Sequence, residues 1–444
     1  IITKSMWIMA LSLFLMNTAF AQSNVIKDVK TLSGMEYVAE SENQPSLKSS
    51  FTYGDGTVTV IEMMNEYLFP SSIDATGKHV IIQTFGMSEE SYYWSQETGV
   101  ITFPGKGTNV TVEGIIAGDF LNNNFPGGGS AETAGIYNLA TEEWTFLGIN
   151  SDYPTLTSEA YNSGWGQSED GSIVVGMQMY DGWSATAFKW TEEGGYDNIG
   201  DSQSYDSRAS GISRNGEVIF GWASTSSGFW TPIVWHNDGY THLSPGVGGE
   251  AMCTSAEGTY VAGKADESAF IWSEEGGLLP FGTYDDYPTI VMEDGSAFGF
   301  TGVFPPPIRR AFYKDVDGLM IPFNDYAEAR GMDNAQDWIF YSVNDVTPDG
   351  NIFIGAGNNP NGQDVSFILD FSGPAQVYML DLVASPSEGG EVFGAGEFLE
   401  GSSVEISAIA NPIWAFENWT NEAGEIISTE AETSIIMSAE NTIL

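Results

Sequence analysis

A chain of 444 residues with 42% apolar side chains holds enough material for about two or three hydrophobic cores, which excludes wholesale disorder. Glycine stands at 52, proline at only 18 and aromatic residues at 13%, the profile of short strands and many turns rather than of a helical bundle. Sixty acidic residues face 14 basic ones, and the net charge of −46 argues against nucleic acid and anionic lipid as partners. A single cysteine excludes an intramolecular disulfide and any Cys-based zinc site.

From the start of the chain, Lys4 precedes an apolar run from Met6 to Met16, and Ala19-Phe20-Ala21 closes it before Gln22. A positive n-region, a short h-region and an A-x-A site predict a secretory signal peptide over residues 1–21, and hence export. Residues 22–50 follow as an N-terminal segment. No later stretch reaches the roughly 18 apolar residues of a membrane-spanning helix. The opening Ile1 and the closing Ile443-Leu444 are read as truncated ends.

Residues 51–373 are expected to form a propeller, because the sequence repeats itself there. The clearest copy reads Gly171-Ser-Ile-Val-Val-Gly176, Ala187-Phe-Lys-Trp190, Glu192-Glu-Gly-Gly195 and Ile199-Gly200. Two more follow, on Gly216–Gly221 with Trp235 and on Gly258–Gly263 with Trp272. Weaker copies place Trp94, Tyr137, Tyr313 and Leu369 in the same aromatic column, which makes seven copies. The 301 residues from Ile73 to Gly373 give about 43 per copy, the length of a propeller blade. In the Trp190 copy the strand candidates are 161–168, 172–179, 185–191 and 196–199, joined by Asp170-Gly171 and Glu192-Glu-Gly-Gly195 turns. Four antiparallel strands repeated seven times predict an all-β, seven-bladed β-propeller of four-stranded blades. The last copy lacks a fourth strand, and the unassigned Gly56–Met63 is expected to supply it, removing an open edge.

The strings Ala187–Gly200 and Ala209-Ser-Gly-Ile-Ser-Arg-Asn-Gly216-Glu-Val-Ile-Phe-Gly221 resemble the HAF-type extracellular repeat family. The resemblance implies an exported, propeller-like protein and no particular activity. Residues 377–444 differ: Glu388-Gly-Gly-Glu-Val392, Val404-Glu-Ile-Ser-Ala408 and Phe416-Glu-Asn-Trp419-Thr resemble the bacterial surface repeat of internalin B and the Listeria–Bacteroides group. That resemblance implies a small β-grasp-like module serving as a stalk or spacer. Ser372-Gly373-Pro374 reads as the linker.

Motifs for chemistry are sparse. The three histidines show no metal-ligand spacing, although His236 and His242 bracket one tight turn and are placed to face each other. No P-loop, G-x-S-x-G or dinucleotide fingerprint occurs. Asp315-Val-Asp-Gly318 and Asp345…Asp349-Gly350 are hard-oxygen turns compatible with Ca²⁺, yet neither completes a calcium loop, and no cofactor is expected. Blade topology puts the second–third turns and the blade-to-blade links on one face, where the sequence is longest and most variable. That face is expected to carry Trp183, Tyr205, Arg208, Phe229, Trp230, Tyr284, Asp285, Arg309 and Arg310, together with links around Tyr153, Trp165 and Tyr284–Tyr287. Aromatic rings, carboxylates and rare arginines point to a monomeric secreted or cell-surface adhesion protein that binds a glycan or another extracellular ligand. The alternative is a secreted carbohydrate-active enzyme using axial carboxylates.

Overall fold

The computed structural model describes residues 47–53, 58–63, 68–84, 90–122, 131–154, 161–180, 184–200, 206–225, 228–236, 239–302, 309–373, 377–399, 403–421, 424 and 426–436. The expected signal peptide 1–21 and residues 22–46 lie outside them. The chain divides into two units, Ile1–Phe371 and Ser372–Leu444.

In the first unit, six four-stranded antiparallel sheets follow one another over residues 68–104, 106–146, 162–198, 207–242, 249–281 and 286–322. Each is a simple meander. A five-stranded sheet ends the series; it joins Ile339–Val346, Ile352–Asn358 and Asp364–Asp370 to the N-terminal strands Val58–Met63 and Leu47–Tyr53. The innermost strand of each sheet is its first in chain order, and that of the five-stranded sheet is Ile339–Val346. These strands contact one another in sequence, and Ile339–Val346 also contacts Leu68–Ile73, so the cycle closes. The architecture is a β-propeller.

Closure uses the strand left unassigned by the repeats. Val58–Met63 pairs antiparallel with Asp364–Asp370, from Thr59 opposite Asp370 to Met63 opposite Ser366. The outer Leu47–Tyr53 was not anticipated, and it moves the start of the propeller from residue 51 to residue 47.

The aromatic column explains why the sheets stack. Trp190 packs with Ala117 and Ala134 of the preceding sheet, Trp235 with Val175 and Ala187, Trp272 with Val218 and Phe220, and Tyr137 with Ile81 and Phe103. Trp94 leans on Ile354 and Ile368, which are the preceding sheet once the ring is closed. Each such ring contributes about 3 kcal/mol of burial. Tyr313 is the exception. Ala297 pairs with Lys314 where Val261 pairs with Trp272, so Lys314 holds the column position and Tyr313 faces the other way. A one-residue shift sends a side chain to the opposite face. Tyr313 instead meets Tyr326 at 4.6 Å on a helix, Phe323–Ala329, that the strand pattern did not predict. Phe323 and Ala327, one helical turn apart, bury that helix against Phe340 and Phe353.

The second glycine of each repeat has a steric cause. Gly118, Gly176, Gly221, Gly263, Gly299 and Gly355 lie on second strands, where a Cβ would stand 1.8–2.2 Å from an inner-strand carbonyl oxygen. Only a residue without Cβ permits that approach.

In the second unit, a three-stranded sheet (Gly390–Phe393, Ser403–Ala410, Glu432–Ile436), the pairing of Val377–Leu380 with Gly396–Leu399 and the short hairpin of Trp419–Thr420 with Ile426–Ser428 surround Leu380, Val404, Ile406, Trp419 and Ile435. The unit is β-rich as expected, and its described residues hold no helix of the kind a β-grasp packs on its sheet.

Two measurements check this account. Gly263→Ala should lower unfolding free energy by about 3 kcal/mol in denaturant titrations, because a backbone oxygen cannot yield to the new methyl. Deleting residues 51–64 should abolish the single cooperative thermal transition; an unchanged melting profile would contradict strand closure.

Candidate functional site

Every inner strand carries a bulge. The register slips by one residue at Ser71, Thr108, Trp165, Ser210, Met252 and Thr289, and twice in Ile339–Val346, at Tyr341 and Asn344. An extra residue re-aims its side chain. All of these except Tyr341 line an axial cavity of about 250 Å³.

At one end of the axis stands Arg214, which follows the inner strand Ser207–Ile212. Its guanidinium bonds Glu169 at 2.7 Å, donates to the carbonyls of Ile73 (2.9 Å) and Val346 (3.3 Å), and lies 3.7 Å from Asp345. Glu169 accepts from the amides of Val112 (3.0 Å) and Ala75 (3.5 Å), and Asp345 accepts from Ile73 N–H at 3.0 Å. Burial pushes the Asp345 carboxyl up, and Arg214 pulls it back. The axial carboxylates Glu169 and Asp345 therefore serve a network that spans five sheets.

The opposite end bears the expected face. Arg208 stands near the start of the same strand whose end leads to Arg214. Its guanidinium lies 4.1 Å from the ring centre of Trp165 and 5.7 Å from that of Trp222. It donates to Glu250 and, at 3.2 Å, to Ser210 Oγ, which itself donates to Glu250 at 2.7 Å. Trp222 stacks on Trp230 at 4.2 Å. In the next sheet Glu250 is the cross-strand partner of Lys264, whose ammonium sits 4.1 Å from Tyr284 and 3.5 Å from Tyr287. Tyr287 stacks on Phe300 at 5.1 Å, and Arg309 lies 4.8 Å over Phe300. The cross-strand pairs Arg208–Trp222, Glu250–Lys264 and Tyr287–Phe300 thus form one row across three consecutive sheets.

Burial lowers the Lys264 ammonium to about 8, while Asp285 and Asp286 work against that shift. Burial also lowers Arg309, and no carboxylate pairs with it among the described residues. Phe229 and Tyr284 are 55% and 44% exposed.

Of the residues expected at this face, the structure brings Arg208, Trp230, Tyr284 and Arg309 into the row, with Asp285 beside Lys264. Phe229 is exposed beside Gly248, and Arg310 is exposed and donates to the Arg309 carbonyl. Trp183 and Tyr205 lie outside the described residues. Arg208 sits inside a strand rather than in a link, and so does Trp165, placed there by its bulge. Trp222, Glu250, Lys264 and Phe300 were missed because strand interiors were read as scaffold, and Tyr287, expected in a link, lies in the strand Asp286–Val291. A usable signal existed: each of Trp222, Lys264 and Phe300 directly follows the repeat glycine.

Three smaller expectations meet their geometry here. His236 and His242 do not face each other: the first pairs with Gly239, and the second pairs with Ile233 and bonds Thr231 at 2.9 Å. Asp315 accepts from Leu319 N–H at 2.7 Å and Asp349 from Thr347 Oγ1 at 2.5 Å, so each closes its own turn. No cluster of three or more metal-ligating side chains occurs among the described residues.

Residues 380–444 match the family model of the divergent InlB B-repeat domain. No curated protein matches the chain. Among solved structures, the β-propeller domain of the Trilobed protease from Pyrococcus furiosus is similar at 13% identity and a TM-score of 0.42, over 63% of this chain and 98% of that one. TolB from Acinetobacter baumannii shows 10% identity and a TM-score of 0.35 over 57% of this chain; the chain spans 63% of its length. Dipeptidyl peptidase 4 from Porphyromonas gingivalis shows 9% identity and a TM-score of 0.39, over 84% of this chain and 66% of that one.

The depressed Lys264 gives a signed expectation. The unfolded chain binds this proton up to about pH 10.5 and the folded chain only to about 8, so Lys264 should make stability rise with pH across that window. Lys264→Arg, which stays charged, should lack that component when denaturant unfolding at pH 7.5 and 9.5 is compared with the parent.

Proposed function

We propose that this is an exported or cell-surface binding protein: a seven-bladed propeller of the HAF-like extracellular type that presents its Arg208–Arg309 face to a glycan bearing anionic groups, followed by a surface-repeat module acting as a spacer. The observation that carries the reading is the row itself. A chain with 14 basic residues and a net charge of −46 places Arg208, Lys264 and Arg309 on one face, each against an aromatic ring. Sugar rings stack on aromatic faces, and a cation beside them selects a carboxylate or sulfate. The overall negative charge would repel a polyanion elsewhere, so attraction concentrates at this patch. The leader-like residues 1–21 and the repeat match at residues 380–444 support an extracellular setting.

The test is a glycan array that includes uronate-containing and sulfated polymers, followed by titration of any hit. Trp230→Ala and Arg309→Ala should each weaken binding about tenfold or more, with the Arg309→Ala loss confined to anionic ligands. Retained affinity in both variants would refute the site.

A further inference from the structure

The second unit presents an apolar ridge that its own core does not use. Asn411-Pro412-Ile413-Trp414 is a four-residue turn, closed by the Trp414 N–H donating to the Asn411 carbonyl at 3.0 Å. Asn411 ties the turn to the preceding loop: its N–H donates to Gly389 O at 2.9 Å and its Nδ2 to Glu388 O at 3.0 Å. The third residue of the turn has a φ of +76°, where glycine is the ordinary choice, and here it is the β-branched Ile413. Ile413 is nevertheless 102% exposed, so no burial offsets the strained backbone. Trp414 beside it is 44% exposed, and Ile409, on the strand leading into the turn, is 62% exposed. A strained, rigidly held and fully presented aliphatic side chain points to a task outside the fold.

Charge identifies what the ridge meets. Residues 372–444 contain no Lys, Arg or His, so every charged side chain there is a carboxylate. Three of these border the ridge, and all three are exposed: Glu391 is the cross-strand partner of Ile409, Glu388 holds Asn411 through its carbonyl, and Glu417 follows the turn. We infer that the ridge is a docking site for a basic polypeptide, whose apolar socket takes Ile413 and Trp414 while Lys or Arg side chains at the rim of the socket meet Glu388, Glu391 and Glu417. A second copy of the unit would bring only like charge, and an anionic bilayer would repel it. A carbohydrate has no apolar socket for a branched aliphatic side chain. This docking role goes beyond the spacer reading of the unit and is independent of the glycan face.

The test selects a random-peptide display library on the immobilised full chain at about 150 mM salt, which screens diffuse attraction to the overall charge of −46. The library is first depleted on an Ile413→Gly/Trp414→Ala double variant. The recovered peptides should combine Lys or Arg with apolar residues, and their synthetic forms should bind the parent about tenfold or more tightly than they bind either single variant. Ile413→Gly should keep or raise the thermal midpoint, because glycine accepts the φ that isoleucine resists. A library that yields no such peptide, a recovered set without basic residues, or equal binding to parent and variants overturns the site. A lowered midpoint in Ile413→Gly overturns it as well, since the side chain would then serve the fold. Self-association in sedimentation that Trp414→Ala abolishes, or flotation with phosphatidylcholine vesicles that Ile413→Gly abolishes, would give the ridge to a second copy or to a bilayer and refute the basic partner.

Discussion

Six glycines let the inner strands press onto their neighbours at distances where any Cβ would collide with a carbonyl oxygen. A bulge adjoins that contact in each of these strands, and Leu68–Ile73 bulges as well with Ile82 in place of the glycine; the bulge does two things. It turns one side chain per sheet toward the axis, which lines the cavity. It also fixes the phase of the residue whose carbonyl makes the contact, so that Arg208, Glu250 and Tyr287 arrive at equivalent places in successive sheets. The row of cations and rings is therefore built on strand backbone, which holds side chains more rigidly than loops would.

The charge balance of the molecule is uneven in a way that composition conceals. Of the few cations, Arg214 balances Glu169 and Asp345 at one end of the axis, and Arg330 anchors the helix end through Tyr326 and Asn351. Arg208, Lys264 and Arg309 remain for the opposite end. There the rings beneath them replace water, and the low dielectric strengthens whatever they meet. Both ends of one axis carry an ion pair, Arg214 with Glu169 and Arg208 with Glu250, and only the second adds cations laid on aromatic rings, Lys264 and Arg309.

Much of the propeller was legible because its period is long and its signals are redundant. The Gly171–Gly176 and Ala187–Trp190 strings placed strands to within a residue or two, and the missing fourth strand of the last copy pointed to Val58–Met63 as its partner. Legibility failed where one residue of register mattered. Tyr313 was aligned by its aromaticity, whereas the pairing of Ala297 with Lys314 decides which residue faces the core. The helix Phe323–Ala329 escaped because an aromatic-rich segment of seven residues carries too few turns to show a period. Several candidate-site residues were visible as rare arginines and loop aromatics, but Trp222, Lys264 and Phe300 looked like ordinary strand positions.

Composition and repetition, acting locally and additively along the chain, were sufficient to dictate strands, turns and the kind of architecture that stacks them. Which cation lies on which ring, and which carboxylate is consumed by Arg214, depends on residues far apart in sequence: Arg214 meets Ile73 across 141 positions and Val346 across 132. Such pairings exist only once the sheets have closed into a ring, because the axis around which they gather belongs to no single repeat.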